Sequence, residues 1–137
     1  MAECSRAQKL NGFYCRCLRR IVGIRSAYIS RVSNKTVLEK AECISLEYVL
    51  LGRQLKYFGK VARKSSTSVL RGLVFEPDSL QLKCFECKRG RGRPKLQWCQ
   101  EVFKHAIRLT GGTQQFAIDV MHEEIWNMKI RLYCHNL

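Results

Sequence analysis

The chain has 137 residues, is 46% hydrophobic and 26% charged, and carries 25 Lys/Arg against 11 Asp/Glu, a net charge of +14. These values exclude a disordered chain, and Gly 9 with Pro 2 excludes collagen-like or Pro-rich low complexity, which leaves a globular chain long enough to bury a core. Asp78 and Asp119 are the only aspartates, too few for a two-metal polymerase or nuclease site, which holds ions about 4 Å apart on several carboxylates.

A first helix is predicted from about Ala7 to Ile24. Leu10, Phe13, Tyr14, Cys17, Leu18 and Ile21 recur at helical spacing and form one apolar stripe. Lys9, Arg16, Arg19 and Arg20 gather on the opposite side, so charge reversal at Arg19 and Arg20 is expected to leave the melting temperature nearly unchanged. Residues 25–33 read as a loop. Ser33 can cap a short second helix to about Ala41, and Ser45 a third from Leu46 to about Lys64. On the third, Leu46, Leu50, Leu51, Leu55, Phe58, Val61 and Ala62 fill a wide arc suited to two neighbours. Arg53, Lys56, Lys60 and Arg63 line the remaining narrow face.

Ser65-Ser66-Thr67-Ser68 reads as a turn or cap. Val69 to Phe75 fits a short helix or a strand equally well. Glu76-Pro77-Asp78 breaks the chain, and Pro94 suits the first turn of a fourth helix. That helix would put Trp98, Cys99, Val102, Phe103, Ala106 and Ile107 on one face and stop at Gly111-Gly112. Thr113 can cap a further segment. A last helix carries Glu123 and Glu124 early and Lys129 and Arg131 late, as the helix dipole favours. The expectation is an all-α fold, a small bundle of about five or six helices with a basic, irregular linker in the middle. Its divisions are 1–75, 76–93 and 94–137.

The charge is uneven. Residues 1–64 hold +10, residues 65–95 +4 and residues 96–137 zero. A field of that sign attracts polyanions, which points to nucleic acid. The start, MAECSRAQKLNG, lacks the apolar stretch of a secretory signal, so a nuclear or cytoplasmic, non-secreted protein with reduced cysteines is expected. The Asn34-Lys35-Thr36 sequon then carries no weight. No apolar run suits a membrane, and Cys134-His135-Asn136-Leu137 lacks the aliphatic pair of a prenylation box.

Lys83 to Lys95, KCFECKRGRGRPK, has six Lys/Arg in thirteen residues. Its Arg89-Gly90-Arg91-Gly92-Arg93-Pro94-Lys95 core resembles an AT-hook, in which arginines flanking glycine follow a narrow minor groove of AT-rich DNA. Lys88, Arg89, Arg91, Arg93 and Lys95 are its phosphate-contacting candidates. Cys84, Cys87, Cys99 and His105 give C-x2-C-x11-C-x5-H, chemically suited to zinc. A CxxC without a second close pair is a weak signal, and Cys99 falls on an apolar face. The preferred reading therefore has no metal and no cofactor. Cys15, Cys17, Cys43 and Cys134 read as core or boundary thiols. There is no P-loop, G-x-S-x-G or H-E-x-x-H. Trp98, Trp126, Tyr57 and Phe58 could stack on bases, but Trp98 and Phe58 lie on apolar faces and fit core packing better.

Several of these segments together resemble a known family. Leu10-Asn11-Gly12-Phe13 through Cys17-Leu18-Arg19-Arg20-Ile21-Val22-Gly23-Ile24 looks like the F-x-x-R-C-L-R-R-I-x-G-I block that follows the polymerase core in non-LTR (LINE-type) retrotransposon reverse transcriptases. Arg31-Val32-Ser33-Asn34 with Val37-Leu38, then Leu55 with Phe58-Gly59-Lys60-Val61-Ala62-Arg63, then Arg91-Gly92-Arg93-Pro94 with Trp98, match further blocks in the same order. Trp126 sits where the family has a last short helix with a Trp. The resemblance spans roughly residues 8–130. It departs from the family in the Cys84/Cys87 pair and in Lys60, where many relatives carry His.

The resemblance implies a non-catalytic helical tail, the post-palm, thumb and tail region, beside the template–primer path. The upstream polymerase portion of the same element would be a partner. The expected function is that of a C-terminal fragment binding template RNA or an RNA–DNA hybrid through Lys9, Arg16, Arg19, Arg20, Arg53, Lys56, Lys60 and Arg63, with the 88–95 linker as a clamp. The alternatives are an AT-hook-like duplex-DNA module, or a decayed remnant acting at most as a helical interaction module.

Overall fold

The computed structural model describes residues 2–83 and 98–135, with the side chains of 2–7 left aside. The fold is all-α. Among the described residues the helices are α1 (Ala2–Ile21), α2 (Ala27–Ser30), α3 (Asn34–Lys40), α4 (Leu46–Ala62), α5 (Val69–Val74), α6 (Trp98–Thr110), α7 (Thr113–Met121) and α8 (Glu123–His135). The extra helices beyond the expected five or six are short ones. The supposed 25–33 loop contains the single turn α2, and the undecided 69–75 stretch is helical up to Val74. Phe75 then leaves the helix and forms an isolated antiparallel bridge with Leu82. Among the described residues no helix is long and apolar enough to cross a membrane.

The chain divides into two compact units, residues 1–51 and 52–136, with the boundary inside α4. The second half of α4 shares one core with the helices that follow it. The end of the expected 76–93 linker lies outside the described residues.

In the first unit α1 packs on α3, burying Cys15, Leu18 and Val37. The Ser33 hydroxyl caps α3 by accepting from the Thr36 amide at 3.1 Å, which satisfies one of the amide donors a helix start leaves free. Gly23 ends α1 with φ of 72°, while the Ile24 amide reaches back to the Arg19 carbonyl at 2.8 Å. That left-handed residue with a backward bond is how helices commonly stop at glycine. Ser45 stands just before α4, as expected, and its hydroxyl donates to the Asn11 side-chain oxygen at 3.0 Å, tying α1 to the start of α4.

The second unit is centred on aromatic rings. Phe58 lies 5.3 Å from Phe75 and 6.1 Å from Phe116, and Phe116 lies 5.4 Å from Phe103 and 5.7 Å from Trp126, centroid to centroid. Phe58, Phe75 and Trp126 are fully buried, each contributing roughly 2–3 kcal/mol through area removed from water. The Trp126 indole N–H donates to the Leu55 carbonyl at 3.0 Å. It reaches that carbonyl across Gly59, where a Cβ would stand 2.7 Å from the indole Cδ1 and closer still to Nε1. The bare backbone of Gly59 is therefore what admits the ring.

Candidate nucleic-acid interface

In α1 the buried line is Cys15, Leu18 and Arg19, rotated away from the expected apolar stripe. Leu10, Phe13 and Ile21 are exposed at 46%, 60% and 79%. Arg19, expected to face solvent, is 3% exposed. Its guanidinium donates to the Val32 carbonyl at 2.6 Å, the Asn34 side-chain oxygen at 3.2 Å and the Ser30 hydroxyl at 3.4 Å. It thus supplies donors to the segment entering α3, and those acceptors outweigh the apolar pattern in choosing which face turns inward. A forked, permanently charged donor group suits that task. Arg19 is therefore taken up by the fold and is not free to hold a phosphate. Lys9, Arg16 and Arg20 are exposed. Arg20, one residue on and turned by about 100° from Arg19, stays exposed.

In the second unit's part of α4, the inward face holds Leu55, Phe58, Gly59, Val61 and Ala62. Arg53, Lys56 and Lys60 are exposed and run along about 10 Å of helix. Arg63, the fourth expected member, is drawn inward. Its guanidinium donates to the Val120 carbonyl at 2.9 Å and lies 3.5 Å from the Glu123 carboxylate. Arg71, which no sequence pattern singled out, donates to the Ala62 and Lys64 carbonyls at 2.9 and 3.0 Å. It satisfies acceptors that the end of α4 leaves open.

The ion pairs among the described residues are Arg63–Glu123, Lys104–Glu101 and Lys129–Asp119. None involves Lys9, Arg16, Arg20, Arg53, Lys56 or Lys60. Each of these six cations is exposed and has no carboxylate partner among the described residues. Such like charges raise the free energy of the isolated protein and are relieved by a polyanion. Lys56 is felt by its neighbour Cys134, whose thiol is pushed up by burial and partly drawn back by that charge.

Of the aromatic candidates, Phe58 and Trp126 are in the core. Tyr57 is half exposed, with its ring 6.0 Å from Trp98, and Trp98 also lies 6.2 Å from Phe58.

The linker cations Lys88, Arg89, Arg91, Arg93 and Lys95, and the thiols Cys84 and Cys87, lie outside the described residues. Of the other zinc candidates, Cys99 is half-buried, and burial raises its thiol. The His105 Nδ1 is 3.1 Å from the Tyr133 hydroxyl. Burial and then Arg108 hold this imidazole below its ordinary value, against the pull of Glu101. No group of three or more His, Cys, Asp or Glu suited to a metal ion occurs among the described residues.

Comparison with protein-family models, with curated proteins and with solved structures finds no match to this chain.

Proposed function

We propose that the protein is a non-catalytic nucleic-acid-binding module that holds RNA or an RNA–DNA hybrid by its phosphates, in the manner implied by its resemblance to the tail of non-LTR retrotransposon reverse transcriptases. The observation that carries this reading is the set Lys9, Arg16, Arg20, Arg53, Lys56 and Lys60, exposed and without carboxylate partners among the described residues. Surface lysines kept only for solubility need a modest net charge, whereas this chain carries +14. A row of unneutralised cations on a rigid helix releases counterions from a phosphate backbone when it docks. The polymerase that would act on the bound strand belongs to another part of the same element.

The test is filter binding over a salt series with single-stranded RNA and with an RNA–DNA hybrid. If each of the six cations meets one phosphate, the slope of log K against log salt on a single strand is about −4. Binding that ignores salt, or no binding at low salt, refutes the reading.

A further inference from the structure

The rotation of α1 leaves a feature that phosphate contact alone does not use. Phe13, Arg16, Cys17 and Arg20 line an open groove of about 240 Å³ on the solvent side of the helix. Phe13 is 60% exposed, and the Arg16 guanidinium carbon stands 6.0 Å from its ring centroid. An aromatic ring in water gives up most of its burial energy, and here it does so between two arginines that have no carboxylate partner among the described residues.

The mixture on this face selects the ligand. A helix that lies on a lipid surface segregates its cations from its apolar face; here Arg16 and Arg20 flank the ring on the same face and would be carried into the bilayer with it. A nucleotide requires the interleaved arrangement: a flat, polarisable base to cover Phe13 and an anionic phosphate for each neighbouring guanidinium. In a duplex the base faces are hidden by stacking, so the ring has nothing to cover there.

We propose that the Phe13/Arg16/Cys17/Arg20 groove binds an unpaired nucleotide of a single strand, its base stacked on the Phe13 ring and its flanking phosphates held by Arg16 and Arg20. This rests on the phosphate-binding reading above and adds to it a preference for unpaired over paired strands.

The experiment compares the wild type, Phe13→Leu and Phe13→Trp on an oligoadenylate single strand and on an RNA duplex of equal length, across a salt series. Vesicles of anionic lipid serve as a further arm. Leucine keeps an apolar side chain at an exposed position and removes only the flat face, so the fold is kept. Phe13→Leu is expected to lose about tenfold in single-strand affinity, with an unchanged salt slope and unchanged duplex affinity; Phe13→Trp is expected to restore or exceed wild-type binding. Salt-dependent wild-type binding with Phe13→Leu unaffected overturns the stacking site and leaves the phosphate reading standing. Equal loss on the duplex, or Phe13-dependent capture by vesicles in place of the single strand, likewise overturns the site. Absence of wild-type binding to any of the nucleic acids overturns both.

Discussion

Replacing Arg19 and Arg20 one at a time separates the fold from the interface. Arg19→Ala removes a charged donor from three acceptors, two of them within 3.2 Å, in a residue only 3% exposed. Hydrogen bonds to charged groups are worth about 1.5–3 kcal/mol each, and part of the loss is recovered if water reaches the freed acceptors. The net cost is about 3 kcal/mol. For a chain of this length this lowers the melting midpoint by roughly 10–15 °C. Arg20→Ala removes an exposed side chain that has no acid partner among the described residues, so stability moves by no more than about 0.5 kcal/mol. On single-stranded RNA the same change lowers the salt slope by about 0.7, the share of one phosphate. Far-UV circular dichroism gives the melts, and amide exchange in α3 locates the loss in Arg19→Ala. If Arg19→Ala melts with the wild type, or if Arg20→Ala costs as much, the assignment of the two faces is wrong.

Gly59→Ala drives a methyl group into the Trp126 indole. The gain of about 1 kcal/mol from helix propensity is exceeded by overpacking of about 1–3 kcal/mol and by strain on the bond to Leu55, so the melting midpoint falls. Gly12→Ala, where nothing lies within 4 Å of the new carbon, raises it; the reverse order in thermal melts would overturn the packing. Burial pushes the Asp119 carboxyl up, but hydrogen bonds from Lys129 and Gln115 and the charges of Lys129 and His122 outweigh it and hold it below the usual carboxylate range. A group lowered in the folded state stabilises above its unfolded value, and that contribution is lost as pH falls through the folded one. Asp119→Asn therefore lowers stability at neutral pH by about 2 kcal/mol, because Lys129 loses its carboxylate, and flattens the acid side of the stability–pH curve. An unchanged acid slope in denaturant titrations counts against this.

Local signals in the sequence were the most legible. Ser33 caps the helix it was expected to cap, α4 starts at Leu46, and Gly111, with φ of 82°, ends α6. These features depend on a few neighbouring backbone groups, which short sequence windows contain. The inward face of α1 was not legible. Leu10, Phe13, Cys17 and Ile21 form a convincing apolar stripe, yet the acceptors presented by Ser30, Val32 and Asn34 decide the rotation, and they become neighbours only after folding. Arg63 was lost from the basic stripe for the same reason, since Val120 and Glu123 lie far along the chain. Arg53, Lys56 and Lys60 stood where the pattern put them, because the apolar arc of α4 around Leu55 and Phe58 is genuine core.

The place of the indoles has a spectroscopic consequence. The chain has two tryptophans, and both Trp98 and Trp126 belong to the second unit. Intrinsic emission excited selectively at indole therefore tracks the second unit's aromatic core, with Trp126 as its fully enclosed reporter, while tyrosine and phenylalanine are the aromatic chromophores of the first unit.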